Sequence, residues 1–467
     1  MFQSKSIQDD EQAISWIGQF VLQAGPRYLQ IADFIESALS DGRLHPGDRL
    51  PPQRRLASLL KVDLTTVTRA YDEAKRRHLL EGQGARGTYA AAPKVELAQM
   101  QDLSMNIPPP PAGVDFDDLL KQGVAQVLLR TDGDQLMSYH LGGGSPADRA
   151  AGAAWLAPMF KAVEPEDIVV CPGAQAALAT LILILSVPGD VILAEPAVYP
   201  GLRAAAEQLG RRVVAVDVDD KGMLPDALEK ACRKHRARLV YLNPTLQNPT
   251  AQTMPQHRRR DLAQAALRCG AHIIEDDPYW LLADHAPPPI AHFAPAQVSY
   301  IATLSKCLSP GLRTAYVLLP DAQMRERFLI ALRTFALMSP PLTTALSTQW
   351  IHDGSAARLL DGVRGEARAR QELARQILAG TAHVPTDGLH IWLTLPAYWT
   401  SHDLAHTARA EGLAVTSSDV FYAGAQPPNT IRISLGSVKD RAHLGAALKK
   451  LSLLLARKPS MHRAPVI

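Results

Sequence analysis

The chain has 467 residues, 47% of them hydrophobic and 20% charged, which gives room for roughly two to four packed domains and excludes a disordered or fibrous chain. A formal net charge of +3 excludes a surface that is basic throughout, so any nucleic-acid face must be local. The four cysteines, Cys171, Cys232, Cys269 and Cys307, are scattered singly, with no CxxC pair and no disulfide framework, as in a reducing compartment.

The amino terminus, MFQSKSIQDDEQ, carries acids where a secretion signal would be basic and then apolar. The longest apolar run, residues 176–187, is too short to span a bilayer and ends at Pro188-Gly189-Asp190, so a cytoplasmic chain with no membrane partner is expected. Trp16, Ile17, Phe20 and Val21 recur at helical spacing, and residues 1–25 read as a helical extension.

From Tyr28, YLQIADFIESALSDG places Leu29, Ile31, Ile35 and Leu39 on one helix face and stops at Gly42. Pro51-Pro52 start a second helix whose buried face is Leu56, Leu59 and Leu60. Asp63 is placed to cap a third, LTTVTRAYDEAKRR, with Val67, Ala70 and Tyr71 inward and Thr65, Thr66, Thr68 and Arg69 outward. Two helices joined by a tight turn, the second with small polar and basic residues at its exposed start, are what docking in a DNA major groove requires. The glycine-punctuated GQGARGTYA reads as a hairpin wing with Arg86 at its tip. Between Arg49 and Thr88, nine basic residues stand against four acidic ones, a local patch suited to phosphate contacts.

The run LHPGDRLPPQRRLASLLKVDLTTVTRAYDEAKRRHLLEGQGARGTYA resembles the winged helix-turn-helix of GntR-family repressors, in its LPP-x-R-x-LA segment and its TV-x-x-AY helix. The resemblance implies a DNA-binding domain over residues 26–92, contacting a double-stranded operator through Arg54, Thr65, Thr66, Thr68 and Arg69, with Arg86 and Gly87 in the wing. Leu64 stands where that family often carries a basic or polar residue, so operator preference does not transfer. Residues 93–113, rich in proline and small residues, read as a linker ending in a stiff extended segment.

Beyond the linker, the apolar runs VILAEP, RRVVAVDVD, RLVYLNP, AHIIEDD, VSYIATLS and TAYVLLP alternate with helical stretches. That alternation predicts a mainly parallel, doubly wound α/β sheet with ligands at the carboxyl ends of its strands. Chemistry-bearing residues fall there. In IATLSKCLSPGLRTAY, Lys306 sits just past a strand end, with Thr303, Ser305 and Arg313 as donors for a phosphate and its own amine free to form a Schiff base with an aldehyde. Asp276 ends another strand, with Tyr279 three residues on, a pair able to hold a pyridine nitrogen and a ring oxygen. Asn248 in LNPTLQNPT is a second donor for that oxygen. CPGAQAAL puts Gly173, Ala174 and Gln175 at a helix start, an anion site. Tyr199 in EPAVYPG offers a flat face for stacking, and Arg432 in TIRISL an inward guanidinium for a carboxylate.

In this order the residues resemble fold-type I pyridoxal-phosphate enzymes, the aspartate aminotransferase superfamily. The resemblance implies Lys306 as the catalytic Schiff-base lysine and Asp276, Tyr279, Asn248 and Tyr199 around the cofactor ring. It implies Ala174, Gln175, Thr303, Ser305 and Arg313 at the phosphate, Arg432 at the carboxylate of a substrate or effector, and Tyr139 reaching a dimer partner's phosphate. Three residues depart from the family pattern: Ala251 and Ala315 replace glycines, and Ala174 replaces a serine. The large domain is expected over residues 114–385, a small α+β carboxyl-terminal domain over 386–457, and a tail over 458–467. His402 and His406, four apart on an expected helix, lack a third ligand, and no metal site is expected. Together the two resemblances are those of the MocR-type regulators. They imply a homodimeric DNA-binding transcription regulator that senses an amino compound through exchange at Lys306, the alternative being a transaminase that carries a DNA-binding appendage.

Overall fold

The computed structural model describes residues 16–17, 20, 25–77, 79–82, 87–91, 100–379 and 384–458. They divide into two compact units, one up to Gln99 and one from Met100 onward.

The first unit packs helices α1 (Arg27–Ser40), α2 (Gln53–Leu60) and α3 (Leu64–Arg76) around Ile31, Ile35, Leu56, Val67, Ala70 and Tyr71, all buried. Trp16 and Ile17 belong to the same core, while Val21 lies outside the described residues. Strands β1 (Leu80–Gly82) and β2 (Thr88–Ala90) pair antiparallel, as a wing requires, and Arg86 at the expected tip lies outside the described residues. Two local expectations fail. Leu59 is 43% exposed, because a helix of eight residues presents only about one turn of apolar face and Leu56 with Ala57 fill it. Asp63 occupies the cap position of α3, but its side chain makes no capping bond there.

The second unit is built on a seven-stranded sheet. In chain order its strands are β3 (Ile168–Cys171), β4 (Val191–Ala194), β5 (Arg212–Ala215), β6 (Leu239–Leu242), β7 (His272–Asp276), β8 (Val298–Thr303) and β9 (Ala315–Leu318), and across the sheet they run β3-β9-β8-β7-β6-β4-β5. Only β9 runs antiparallel to its neighbours. Successive residues alternate between two cores: Val170, Leu193, Val240, Ile273 and Tyr300 pack on one face, Val169, Ile192, Leu239, Ile274 and Ile301 on the other. Both faces are therefore covered, which is why these strands read as unbroken apolar runs. Strand β3 was not among the runs read from sequence; IVVC is four residues long and sits directly against the helix start at CPGAQAAL.

A second sheet of β10 (His390–Thr394), β11 (Thr416–Ser417) and β12 (Thr430–Ser434), in the order β10-β12-β11, is antiparallel and carries its own core of Ile391, Leu393, Leu404, Ile431 and Leu448. The chain just after Gln99 joins this part of the unit: Gln101–Asp102 pair in parallel with Leu413–Ala414, and Leu103 is fully buried in the same core.

Candidate functional site

The register of the large sheet gathers the expected residues along one edge. Thr303 at the end of β8 lies opposite Ala315 at the start of the reversed β9, and Ala315 lies opposite Cys171 at the end of β3. The loop carrying Arg313, the turn at Gly173 and the Lys306 segment therefore share that edge, with Asp276 at the end of β7 beside them.

Asp276 is buried, and the Tyr241 hydroxyl donates to its Oδ2 at 2.8 Å. Its Oδ1 is buried with no hydrogen-bond partner. Burial pushes this carboxyl up to about 6, against the lowering effect of the Tyr241 hydrogen bond and the Lys306 ammonium. Asn243 holds the Asp276 backbone, donating to its carbonyl at 2.8 Å. Lys306 Nζ donates to the Asn106 carbonyl at 2.5 Å. Burial, followed by the nearby Arg432 guanidinium, pulls this amine down to about 8 against the opposing pull of Asp276. Neighbouring Cys307 is buried and its thiol pushed up to about 12, so it is a packed thiol and no nucleophile.

Arg432, on β12, donates from Nη1 to Asn248 Oδ1 at 2.7 Å and from Nη2 to the Ser104 carbonyl. Its Cζ lies 4.7 Å from the centre of the Phe421 ring, and its Nε is buried without a partner. The Asn248 oxygen is thus committed to Arg432, which turns its amide nitrogen to other acceptors. Tyr279 is buried, and its hydroxyl accepts from Asn106 Nδ2 at 2.9 Å.

Gly173 precedes the helix Ala174–Leu185 with φ +98°, a conformation that favours glycine, and a Cβ there would stand 2.8 Å from Arg313 Nη2. Arg313 Nη2 also donates to the Pro172 carbonyl, so arginine and helix start face the same spot. Thr303 and Ser305 are bonded to each other through their hydroxyls at 3.1 Å. Gln175 donates to the Gly201 carbonyl and leaves its Oε1 buried and unpartnered. Tyr199 is half-buried against Gly201, whose missing side chain leaves room for the ring. Ala251, at a position where the related pattern has glycine, takes φ +60°. Tyr139 stands apart from the rest, 75% exposed. His402 and His406 are both exposed on the helix Ser401–Ala410. Among the described residues, no three His, Cys, Asp or Glu gather as a metal site would require, and no helix is long and apolar enough to cross a membrane.

Tyr241, Asn243, Asn106 and His390 were missed from the sequence. The first two sit in RLVYLNP with only strand character to mark them, and the last two meet the site through hydrogen bonds that span 143 or more residues of chain.

In the first unit, Arg54, Thr65 and Arg69 are exposed and Thr66 half-buried, on α2 and the first turns of α3. The Thr68 hydroxyl is occupied by Gln53 Oε1 at 2.9 Å and the Leu64 carbonyl at 3.0 Å, and the Arg69 guanidinium lies 4.6 Å from the centre of the Tyr28 ring. Gly87 takes φ +116° beside the Arg49 guanidinium. The basic surplus is smaller than the residue count implied. Arg77 is tied to Asp33, Glu36 and Glu73 at 2.6 to 2.9 Å, and Arg76 to Glu73 at 2.7 Å.

Among known proteins, the family of class I and II aminotransferases matches residues 99–451, and the gntR family of bacterial regulatory proteins matches residues 27–90. The HTH-type transcriptional regulator YdeF of Bacillus subtilis is 29% identical over 95% of this chain and 97% of its own length. The vitamin B6 salvage pathway transcriptional repressor PtsJ of Salmonella typhimurium is 28% identical over 88% and 94%. Among solved structures, LysN, the alpha-aminoadipate aminotransferase of Thermus thermophilus crystallised with N-(5'-phosphopyridoxyl)-L-leucine, superimposes with a TM-score of 0.70 at 26% identity over 76% of this chain and 92% of its own.

Proposed function

The chain belongs to the class I and II aminotransferase family and carries a gntR-type helix-turn-helix at its amino end, and from that premise we propose that it is a pyridoxal-phosphate-dependent transcriptional regulator that senses an amino compound. The observation that carries this reading is the pairing, in one chain, of a gntR-type helix-turn-helix with a half-buried lysine beside a buried acid whose second oxygen is unclaimed.

Three features of the site fit the cofactor. Asp276 Oδ1 is a buried acceptor without a donor, and a protonated pyridine nitrogen would supply one. The turn at Gly173 leaves open the space that a Cβ would fill beside Arg313, as a phosphate at a helix start requires. Arg432 has an N–H unclaimed, as a carboxylate receptor would. When bound, pyridoxal phosphate supplies an aldehyde that bonds covalently to primary amines and a ring that draws electrons from the carbon attached to that nitrogen.

The protein's own groups have separate tasks. Lys306, partly deprotonated at neutral pH, offers an amine that would hold the cofactor and that an effector amine would displace. Asp276 would hold a proton at the ring nitrogen; Asn248 and Tyr279 would donate at the ring oxygen, and Tyr199 would lie on the ring face. The 173–175 turn, Thr303, Ser305 and Arg313 would hold the phosphate, and Arg432 would take an effector carboxylate in place of the Ser104 carbonyl. Tyr139, exposed here, would serve a partner's site in a homodimer. Arg54 with the Thr65, Thr66, Thr68 and Arg69 face would meet operator DNA, and Arg86 with Gly87 would form the wing.

The test is the absorption spectrum of the purified protein, titrated with amino acids and amines, with and without a keto acid. A visible cofactor band that responds once to one amine, without continued product formation, is the expected result; absence of the band in wild type, or its retention in Lys306→Ala, would overturn the cofactor assignment. The likeness to an aminotransferase of known structure favours a second reading, a working transaminase, and sustained cycling with the keto acid would select it.

A further inference from the structure

We infer that His390 and Asn106 are positioning residues that commit the Tyr279 hydroxyl to donate its proton toward the cofactor ring. The inference rests on the reading that this site takes pyridoxal phosphate.

The roles are fixed one after another, beginning at a carbonyl. Gln247 O can only accept, so His390 Nε2, 3.1 Å from it, carries the ring proton. Burial, followed by the nearby Arg432, pulls the His390 imidazole down to about 3, so the ring is neutral and Nδ1 keeps its lone pair. The side-chain nitrogen of Asn106 lies 3.1 Å from that Nδ1, and only an N–H suits the spot. This sets the orientation of the amide, nitrogen toward the imidazole. The same NH2 group reaches the Tyr279 hydroxyl at 2.9 Å, so the phenol accepts there and has its own proton left to donate. Burial raises the Tyr279 phenol, which therefore stays protonated. Asn106, Tyr279, His390 and Gln247 are 6%, 1%, 1% and 5% exposed, so water does not compete for these roles. Asn106 also accepts from Lys306 Nζ through its backbone carbonyl, which sets one residue against both the reacting amine and the phenol.

If Tyr279 could accept from the ring oxygen as readily as donate to it, the oxygen's negative charge would lose its support. The committed donor lowers the proton affinity of the cofactor, so removing its support should raise the pH at which the visible band changes form. The groups facing Tyr279 and His390 are Asp276, Lys306, Arg432, Tyr199 and Asn106, and all but the substituted one stay in place in each variant.

Two measurements test this. In cofactor-free protein with 15N-labelled histidine, assigned by difference from His390→Gln, the His390 signals should report the Nε2–H tautomer and stay constant from about pH 5 to 8. The opposite tautomer, or titration inside that range, would overturn the inference. In the cofactor-loaded protein, Tyr279→Phe, Asn106→Ala and His390→Leu should each move the band's pH midpoint up by about one unit or more, a ten-fold change in proton affinity. His390→Gln, which retains a donor and an acceptor, should return it toward the wild-type value. If Tyr279→Phe moves the midpoint while Asn106→Ala and His390→Leu leave it unchanged, positioning by these residues is excluded. Lack of any band in wild type would sink the cofactor reading, while the tautomer measurement would still stand on its own.

Discussion

Lys306 shows how burial prepares a residue for chemistry. A free lysine amine is charged until about pH 10.4 and is then a poor nucleophile at neutrality. In this fold the amine is pulled down to about 8, because burial and Arg432 oppose its charge more strongly than Asp276 supports it. The sign follows directly: a lowered lysine pKa means that the neutral, reactive form gains population as pH rises through about 8. Uptake of pyridoxal phosphate by the cofactor-free protein, followed by stopped-flow absorbance, should therefore accelerate between about pH 7 and 9 and level off above; a rate still climbing steeply at pH 10 would show an ordinary lysine. Ala251 makes a different residue-scale case. Its φ of +60° places a Cβ in the left-handed region, which costs about 1 kcal/mol relative to glycine. Ala251→Gly should raise the melting temperature of the cofactor-free protein by a degree or more, since the relief outweighs the added freedom of the unfolded chain. Lys306, Asp276 and Arg432 were legible in sequence because each interrupts an apolar run with a charged group. Asn106 and His390 were not, because nothing local marks a polar residue whose hydrogen-bond partners lie 143 to 284 positions away.

At the scale of elements, the helix Ala174–Leu185 and α3 carry the two halves of the account. A Cβ at position 173 would stand 2.8 Å from Arg313 Nη2, in the space that an anion at the helix start would need. Gly173→Ala should push the Arg313 guanidinium aside and weaken pyridoxal phosphate binding at least about ten-fold, read by equilibrium dialysis, with the far-ultraviolet spectrum unchanged. On α2 and α3, Arg54→Ala and Thr66→Ala should weaken operator binding and leave the cofactor absorbance untouched; loss of Arg54 should also reduce the salt dependence of binding by about one counterion. Unchanged binding in both variants would remove the docking role. Six of the seven strands of the large sheet were legible, five because residues buried on both faces leave apolar runs and the half-buried edge strand β5 through its Val213-Val214-Ala215 run. Strand β3 was missed although it is as long as β4, β5, β6 and β9, and the reversal of β9 has no signature in its sequence. The surface charge of the first unit was overestimated for a related reason: Arg77 and Glu73 are near neighbours in the chain, but Asp33 and Glu36 reach Arg77 only through folding.

At the scale of the whole molecule, two compact units share one chain, and regulation requires that their states be linked. An effector alters DNA affinity only if it binds one conformation more tightly than another; a five-fold change corresponds to about 1 kcal/mol of coupling. The second unit contains groups whose partners an effector would have to replace. Arg432 spends one N–H on the Ser104 carbonyl and Lys306 donates to the Asn106 backbone carbonyl, and both carbonyls lie at the amino-terminal start of the second unit. The most direct test is fluorescence anisotropy of DNA selected by the cofactor-loaded protein from a random pool, measured with and without each member of a panel of amino acids and amines. For wild type, one amino compound should change the affinity by at least about five-fold, and Lys306→Ala should bind the same DNA without any response. Equal affinity under all conditions in wild type, with the cofactor band responding to the amine, would contradict the account and leave a transaminase with a DNA-binding domain.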